Sequence, residues 1–169
     1  MTEFSRSPFF KLRSDDTISV ELPTEVRDTL IQLAEELGES IETDNDDVRR
    51  LFPTAYPDDP SRDAGYQVFS RSELIEGRHE RIEILRQTAH ASTVTIEELG
   101  AWLKVVNDLR LILGTRLDIS EETNLITFDP SLYDNPEAAL HQMALYEALG
   151  ELLSHIIEAL MGTLPPDDD

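Results

Sequence analysis

The chain has 169 residues, of which 35 are Asp or Glu and 14 are Lys or Arg, so its net charge at neutral pH is −21. This length fits one domain, and 40% hydrophobic residues are enough to form a buried core. The absence of cysteine excludes disulfides, cysteine-ligated metals and a thiol nucleophile. So acidic a chain repels phosphate backbones, which argues against nucleic acid as a partner.

The acidic charge lies in two arms. Residues 15–60 hold fourteen acids against three arginines, and residues 121–169 hold eleven acids and no base, whereas 61–120 is nearly neutral. No segment approaches the roughly 20 apolar residues of a membrane span, and the N-terminus lacks the apolar core of a signal peptide. We therefore expect a cytoplasmic protein without a membrane partner.

Short strand-forming segments begin the chain. Residues 8–12 and 17–22 are rich in strand formers and predict a β-hairpin, and residues 125–128 predict a further strand that pairs with it. Helical periodicity then predicts helices over 24–43, 60–69, 72–91, 96–117 and 136–161. The predicted fold class is mainly α: a single-domain helical bundle over 1–163 with a small N-terminal β-hairpin, followed by a disordered acidic tail at 164–169.

Two predicted helices have unusual apolar patterns. The helix at 96–117, opened by a capping box at Thr95 and Glu98, has apolar residues on both sides, which is typical of the central helix of a bundle. Gly114 within it predicts the close approach of another backbone. The helix at 136–161 is aliphatic around nearly half its circumference, which predicts that it lies in a groove or pairs with another chain. We expect a homodimer formed through it.

Two arginines fall inside the apolar arcs of helices. Arg78 does so in 72–91 and Arg116 in 96–117. A buried guanidinium needs a carboxylate partner, and the candidate partners are Asp58, Asp59 and Asp108. The alternative is that both side chains extend from the edge of the apolar face into solvent.

Signals for catalysis or metal binding are weak. Glu76-x-x-His79 is one copy of a motif that a carboxylate-bridged metal site needs twice. Glu137–His141 and Glu151–His155 are better interpreted as surface pairs one turn apart. Neither a Gly-x-Ser-x-Gly motif nor a glycine-rich phosphate loop is present. We predict no catalytic residue, no metal and no cofactor.

Three parts of the chain carry a family resemblance. They are the sequence RLFPTAYPDDP at 50–60, Arg78 in the helix that follows, and 102–117 with its runs NDLRL and GTRL. Over about residues 17–119 they resemble the "domain of unknown function twenty-seventeen" family of high-GC Gram-positive bacteria, and the last helix matches by pattern. The resemblance implies no enzymatic activity and no known ligand. Because members are often encoded beside the substrate adaptor of the Clp protease, it also implies a role near regulated proteolysis.

Together these observations predict a non-catalytic interaction protein that binds a basic protein partner through its acidic arms. The alternative is a small-molecule-binding or enzymatic domain in which Tyr56, Asp108 and Arg110 face a pocket lined by Trp102. A third reading, a transcriptional regulator, follows a label that some family members carry, and the composition does not support it. The candidate residues of a structural polar network or a recognition site are Tyr56, Asp58, Asp59, Arg78, Trp102, Asn107, Asp108, Arg110 and Arg116.

Overall fold

The computed structural model describes residues 7–123 and 125–164. Its regular elements are, in chain order, β1 (Phe10–Leu12), β2 (Ile18–Val20), α1 (Thr24–Ser40), α2 (Pro60–Thr88), β3 (Thr93–Val94), α3 (Ile96–Arg116) and α4 (Pro136–Met161). Short 3-10 helices occupy Asp46–Leu51, Leu125–Thr127 and Pro130–Leu132. The fold is mainly α, as predicted. Apart from Leu164, the predicted acidic tail lies outside the described residues.

The three strands form one antiparallel sheet in the order β1–β2–β3. Phe10 pairs with Val20, and Ile18 pairs with both Leu12 and Val94. The predicted hairpin is therefore confirmed. The strand predicted at 125–128 is wrong, because Leu125–Thr127 forms a 3-10 turn in which Ile126 is 94% exposed. The third strand is instead β3, which directly precedes the capping box of α3.

Helix α2 is a single helix of 29 residues. The prediction of two helices, 60–69 and a second one that starts at Ser72, is wrong. The Asp59 side chain accepts a hydrogen bond from the Arg62 amide at 3.0 Å and so caps the N-terminus of α2. The Ser70 hydroxyl bonds the Tyr66 carbonyl one turn earlier, at 2.8 Å. Because that hydroxyl is satisfied within the helix, the polar stretch does not interrupt it.

Helix α3 is the centre of the core. It packs against α2 on one side and α4 on another, and also contacts the 3-10 helix at Asp46–Leu51. Its capping box is present, with the Glu98 amide donating to the Thr95 hydroxyl at 3.1 Å. Trp102 and Val106 are fully buried in the middle of the helix. The central position predicted for this helix is confirmed.

Gly114 lies close to an arginine side chain rather than to another backbone. A Cβ at this position would lie 3.0 Å from Nη1 of Arg50, and Nη2 of the same guanidinium donates to the Ile119 carbonyl at 2.6 Å. The predicted approach of another backbone is therefore wrong. The glycine makes room for an arginine side chain that ties the 3-10 helix to the segment after α3.

Candidate functional site

Arg78 and Asp108 form an ion pair between α2 and α3. Nε of Arg78 donates to Oδ2 of Asp108 at 3.1 Å, and each side chain is 11% exposed. Nη2 of Arg78 donates to the Leu51 carbonyl at 2.9 Å, and its guanidinium lies 5.1 Å from the centre of the Phe52 ring. The predicted internal pairing of Arg78 is confirmed, with Asp108 as the partner.

Burial governs the titration of the Asp108 carboxyl. Loss of hydration raises the pKa of the Asp108 carboxyl above its ordinary value, and the positive charges of Arg78, Arg81 and Lys104 partly oppose that rise. The carboxylate is thus held in a place where ionisation is costly and is compensated mainly by one guanidinium. Such a group is typical of a structural link between helices as well as of a functional site.

Arg116, Asp58 and Asp59 do not belong to the Arg78–Asp108 pair. Nε of Arg116 donates to Oδ2 of Asp47 at 2.7 Å, with the arginine side chain 36% exposed. The prediction that Arg116 pairs inside the apolar core with Asp58, Asp59 or Asp108 is therefore wrong. Arg116 is the last residue of α3, where the helix reaches the surface. Asp58 and Asp59 are exposed, and Asp59 caps α2 instead.

The residues of the alternative pocket do not converge. Trp102 is fully buried, and its indole N–H donates to the Thr88 hydroxyl at 2.8 Å. The Arg110 guanidinium stacks on the Tyr146 ring at 4.4 Å, between α3 and α4. Tyr56 lies under Arg62, whose guanidinium is 4.0 Å from the ring centre. The pocket in which Tyr56, Asp108 and Arg110 were expected to meet beside Trp102 is therefore not formed.

Arg27 is a buried polar residue that was not predicted from the sequence. It is 9% exposed and donates four hydrogen bonds of 2.7–2.9 Å, all to backbone carbonyls, at Val20, Leu22, Ala89 and Ala91. The guanidinium therefore ties α1 to β2 and to the end of α2. A signal was available, because Arg27 lies three residues before Leu30 and seven before Ala34, within the apolar stripe of α1.

Within the part of the chain that the structure describes, the histidines form no metal site. The described residues contain no group of three or more His, Asp and Glu side chains that could hold a metal ion. His79 bonds Glu42 at 2.6 Å rather than forming a site with Glu76. His155 lies 4.0 Å from Glu151, and its ring packs edge-on against Phe9 at 5.2 Å. The predicted Glu151–His155 pair one turn apart is thus present, but the His155 side chain is only 20% exposed.

An apolar groove runs between α1 and α4. Its volume is about 430 Å³, and its apolar lining includes Phe9, Val26, Leu30, Leu33, Leu145 and Leu149. The polar side chains that line it are Glu25, Thr29 and Glu151, and within the described part of the chain no lysine or arginine does so. Of the aliphatic residues of α4 that suggested a groove or a partner, Leu145, Leu149 and Leu152 line this groove, whereas Ile156 is buried in the core.

Both helices that form this groove are acidic. Helix α1 contains five acidic residues and a single base, Arg27, whose guanidinium is turned inward onto backbone carbonyls. Helix α4 contains four acidic residues and neither Lys nor Arg. The groove therefore has an apolar floor between two helices that are both negatively charged.

The fold and these sites define the chain as a mainly α domain with an apolar groove between two acidic helices. The chain belongs to the family "Domain of unknown function (DUF2017)", whose model matches residues 1–160. The family resemblance is thus confirmed and extends through most of α4. Comparison with curated proteins and with solved structures gives no match. None of the helices described here is both long and apolar enough to cross a membrane.

Proposed function

We propose that this chain is a non-catalytic interaction protein whose groove between α1 and α4 binds a basic, amphipathic helical segment of a partner protein. The observation that carries the proposal is the composition of the groove. Its floor is aliphatic, and Glu25 and Glu151 stand at its polar positions without a neighbouring cation among the lining residues.

The apolar floor supports a helix as the occupant. An amphipathic helix presents side chains at positions i, i+3, i+4 and i+7, and these fit a groove between two parallel or antiparallel helices. Val26 is 37% exposed on α1, and Leu33 and Leu145 are half-buried at the two sides of the groove. Covering this surface contributes about 25 cal/mol for each Å² of apolar area removed from water, and the cost of association and of ordering the peptide opposes that gain.

The carboxylates support a basic partner. Lysines or arginines at the edges of the bound helix would lie near Glu25 and Glu151, and the net charge of −21 attracts cationic segments over a longer range. An acidic segment of the same shape would be repelled. Because exposed charges are screened by salt, the association should weaken as ionic strength rises.

Three further expectations belong to this proposal. They are a cytoplasmic location, a role near Clp-dependent proteolysis, which the family resemblance implies, and a homodimer formed through α4. The homodimer is supported by Leu140 and Met161, which are exposed on α4. Sedimentation equilibrium of the full chain tests the dimer: a mass of two chains that falls to one in Met161→Lys supports it, and a single chain at every concentration contradicts it.

The test of the groove uses three synthetic peptides of about 18 residues, a length at which helices form more readily in water. One has leucines at helical spacing flanked by lysines, the second has glutamates in place of the lysines, and the third has the composition of the first in scrambled order. We expect the basic amphipathic peptide to bind most tightly in titration calorimetry. Equal binding of the ordered and scrambled basic peptides would show nonspecific attraction to an acidic surface and would contradict the proposal.

Matched variants locate the binding. Val26→Arg places a cation in the groove, and Val68→Arg makes the same change at a valine of α2 that is 74% exposed and outside the groove. We expect at least about tenfold weaker binding for Val26→Arg, as for a residue central to an interface, and unchanged binding for Val68→Arg. Glu151→Lys and Glu73→Lys repeat the comparison for charge. Equal effects within either pair would contradict the assignment to the groove.

A further inference from the structure

A second depression lies on a different surface, formed by α2, α3 and α4. Its volume is about 460 Å³, and its polar lining consists of Arg78, Arg81, Lys104, Asn107 and Asp108. Three cations and one carboxylate give it a local charge of opposite sign to that of the chain as a whole. Leu103, Leu153 and Ile157 supply the apolar part of its lining.

Two of these cations are unpartnered. Among the Lys and Arg side chains that the structure describes, only Arg49, Arg81 and Lys104 have no hydrogen bond, ion pair or aromatic ring partner, and two of the three border this depression. Nε of Arg81 is buried and has no acceptor. Because Nε is shielded, an oxygen entering the depression would be received by the terminal nitrogens of the same guanidinium, which are not among the buried unpartnered atoms. Asp108 is the one carboxylate in the described lining of the depression, and it is hydrogen-bonded to Arg78, so Arg81 and Lys104 remain available for an anion from outside.

The other lining residues fit this assignment. Arg78 donates hydrogen bonds to Asp108 and to the Leu51 carbonyl. Its positive charge therefore compensates the negative charge of Asp108, which would otherwise repel an anion. The Asn107 amide is exposed at the same depression and has no hydrogen bond to the rest of the described chain. An incoming oxygen therefore has three free groups of donors: a guanidinium, an ammonium and an amide.

We propose that this depression binds a single carboxylate carried on a branched aliphatic group, held by Arg81, Lys104 and Asn107 with its aliphatic part against Leu103, Leu153 and Ile157. A monoanion is favoured over a phosphate because the negative field of the whole chain and the nearby Asp108 penalise each additional negative charge. The apolar lining favours an organic acid over an inorganic anion. This assignment is independent of the groove between α1 and α4.

Nuclear magnetic resonance of the full chain tests the site with isocaproate and its neutral amide. The Nε–Hε signal of Arg81 reports on the guanidinium whose terminal nitrogens would hold the carboxylate. We expect a saturable shift of this signal with isocaproate and none with isocaproamide. Equal shifts with the two compounds, or binding of inorganic phosphate as tight as that of isocaproate, would overturn the proposal.

Three charge-neutralising variants complete the test. Arg81→Gln and Lys104→Gln should each weaken isocaproate binding by about tenfold or more, because each removes a charged donor. Arg49→Gln removes the third unpartnered cation, which lies outside the depression, and should leave binding unchanged. Lys104 is exposed, so its variant stays informative even if Arg81→Gln is poorly folded. The same affinity in all three variants and the wild type would overturn the proposal.

The source of the carboxylate is distinguished by a peptide. N-acetyl-Ala-Leu carries the same isobutyl group and carboxylate at the end of a chain. Binding about tenfold tighter than that of isocaproate would assign the site to the C-terminal residue of a protein or peptide, whereas equal affinity would assign it to a free organic acid. Either result supports the carboxylate site, and failure of both acids to bind would overturn it.

Discussion

The hydrogen bond of 3.1 Å from Nε of Arg78 to Oδ2 of Asp108 joins α2 to α3 where both side chains are nearly buried. The same guanidinium reaches the Leu51 carbonyl, so one side chain connects two long helices and the 3-10 helix at Asp46–Leu51. An ion pair in this setting costs desolvation for both charges, yet removal of one partner leaves the other without compensation.

We predict that Asp108→Ala lowers the free energy of unfolding by about 3–5 kcal/mol, because it leaves the Arg78 guanidinium buried and unpaired. Urea denaturation of the two proteins measures the difference. Glu35→Ala is the control, since it removes an exposed contact with Arg86 at 3.3 Å and should change stability by less than about 1 kcal/mol. Similar losses in both variants would mean that the Arg78–Asp108 pair is not a structural link.

The raised pKa of Asp108 has a definite effect on stability. The folded state holds this proton more tightly than the unfolded chain does, so the Asp108 contribution favours folding at low pH. That contribution is lost as pH rises from the ordinary value of 3.8 through the raised pKa. Measured from pH 3 upward, the unfolding free energy of wild type relative to Asp108→Asn should fall across this window and then level off. A rise across the window would show that attraction to Arg78 outweighs burial and lowers the pKa.

Arg27 provides a second test of buried polar chemistry. Arg27→Lys keeps the charge but replaces a planar guanidinium that serves four carbonyls with a single ammonium. We predict a loss of about 2–3 kcal/mol of stability, because carbonyls at Val20 and Ala89 lose their donors. Thermal unfolding followed by circular dichroism measures it. Arg49→Lys, at an exposed arginine, should stay within about 0.5 kcal/mol of wild type, and an equal change in the two variants would contradict the role of Arg27.

The presence of the helices could be predicted because the residues that indicate a helix lie within it or directly beside it. The N-terminal ends of α3 and α4 could be predicted from Thr95, Asn135 and Pro136, because N-capping residues are recognised within a few adjacent positions. The break predicted in α2 was wrong because Ser70 satisfies its hydroxyl inside the helix, which the sequence alone does not reveal. Strand β3 was missed because a two-residue strand exists only through its pairing with distant β2.

The candidate site was predictable only in part. The position of Arg78 within an apolar arc indicated a buried pair, and Asp108 was among the named partners. The partner of Arg116 is Asp47, 69 residues away, and no pattern along one helix identifies such a contact. Likewise, the groove depends on how far α1 and α4 stand apart, so only the apolar half of α4 could be seen in advance.

The glycines of α3 give a prediction about packing. Gly100 has open space where a Cβ would lie, whereas at Gly114 a Cβ would meet the Arg50 guanidinium at 3.0 Å. Gly100→Ala should therefore stabilise the protein by about 0.5–1 kcal/mol through helix propensity. Gly114→Ala should be at least about 1 kcal/mol less stable than Gly100→Ala, because Arg50 is fixed to the Ile119 carbonyl. Equal stabilisation of both variants in urea denaturation would contradict this packing.

The central claim is that the groove between α1 and α4 is the docking surface of this protein. Its most direct test is a methyl NMR titration of the isotopically labelled chain with the basic amphipathic peptide. We predict that the methyl groups of Leu30, Leu33 and Leu145 shift on binding, while those of Leu132 and Val68, which are exposed outside the groove, do not. Shifts confined to residues outside the groove, or spread evenly over all exposed methyl groups, would contradict the claim.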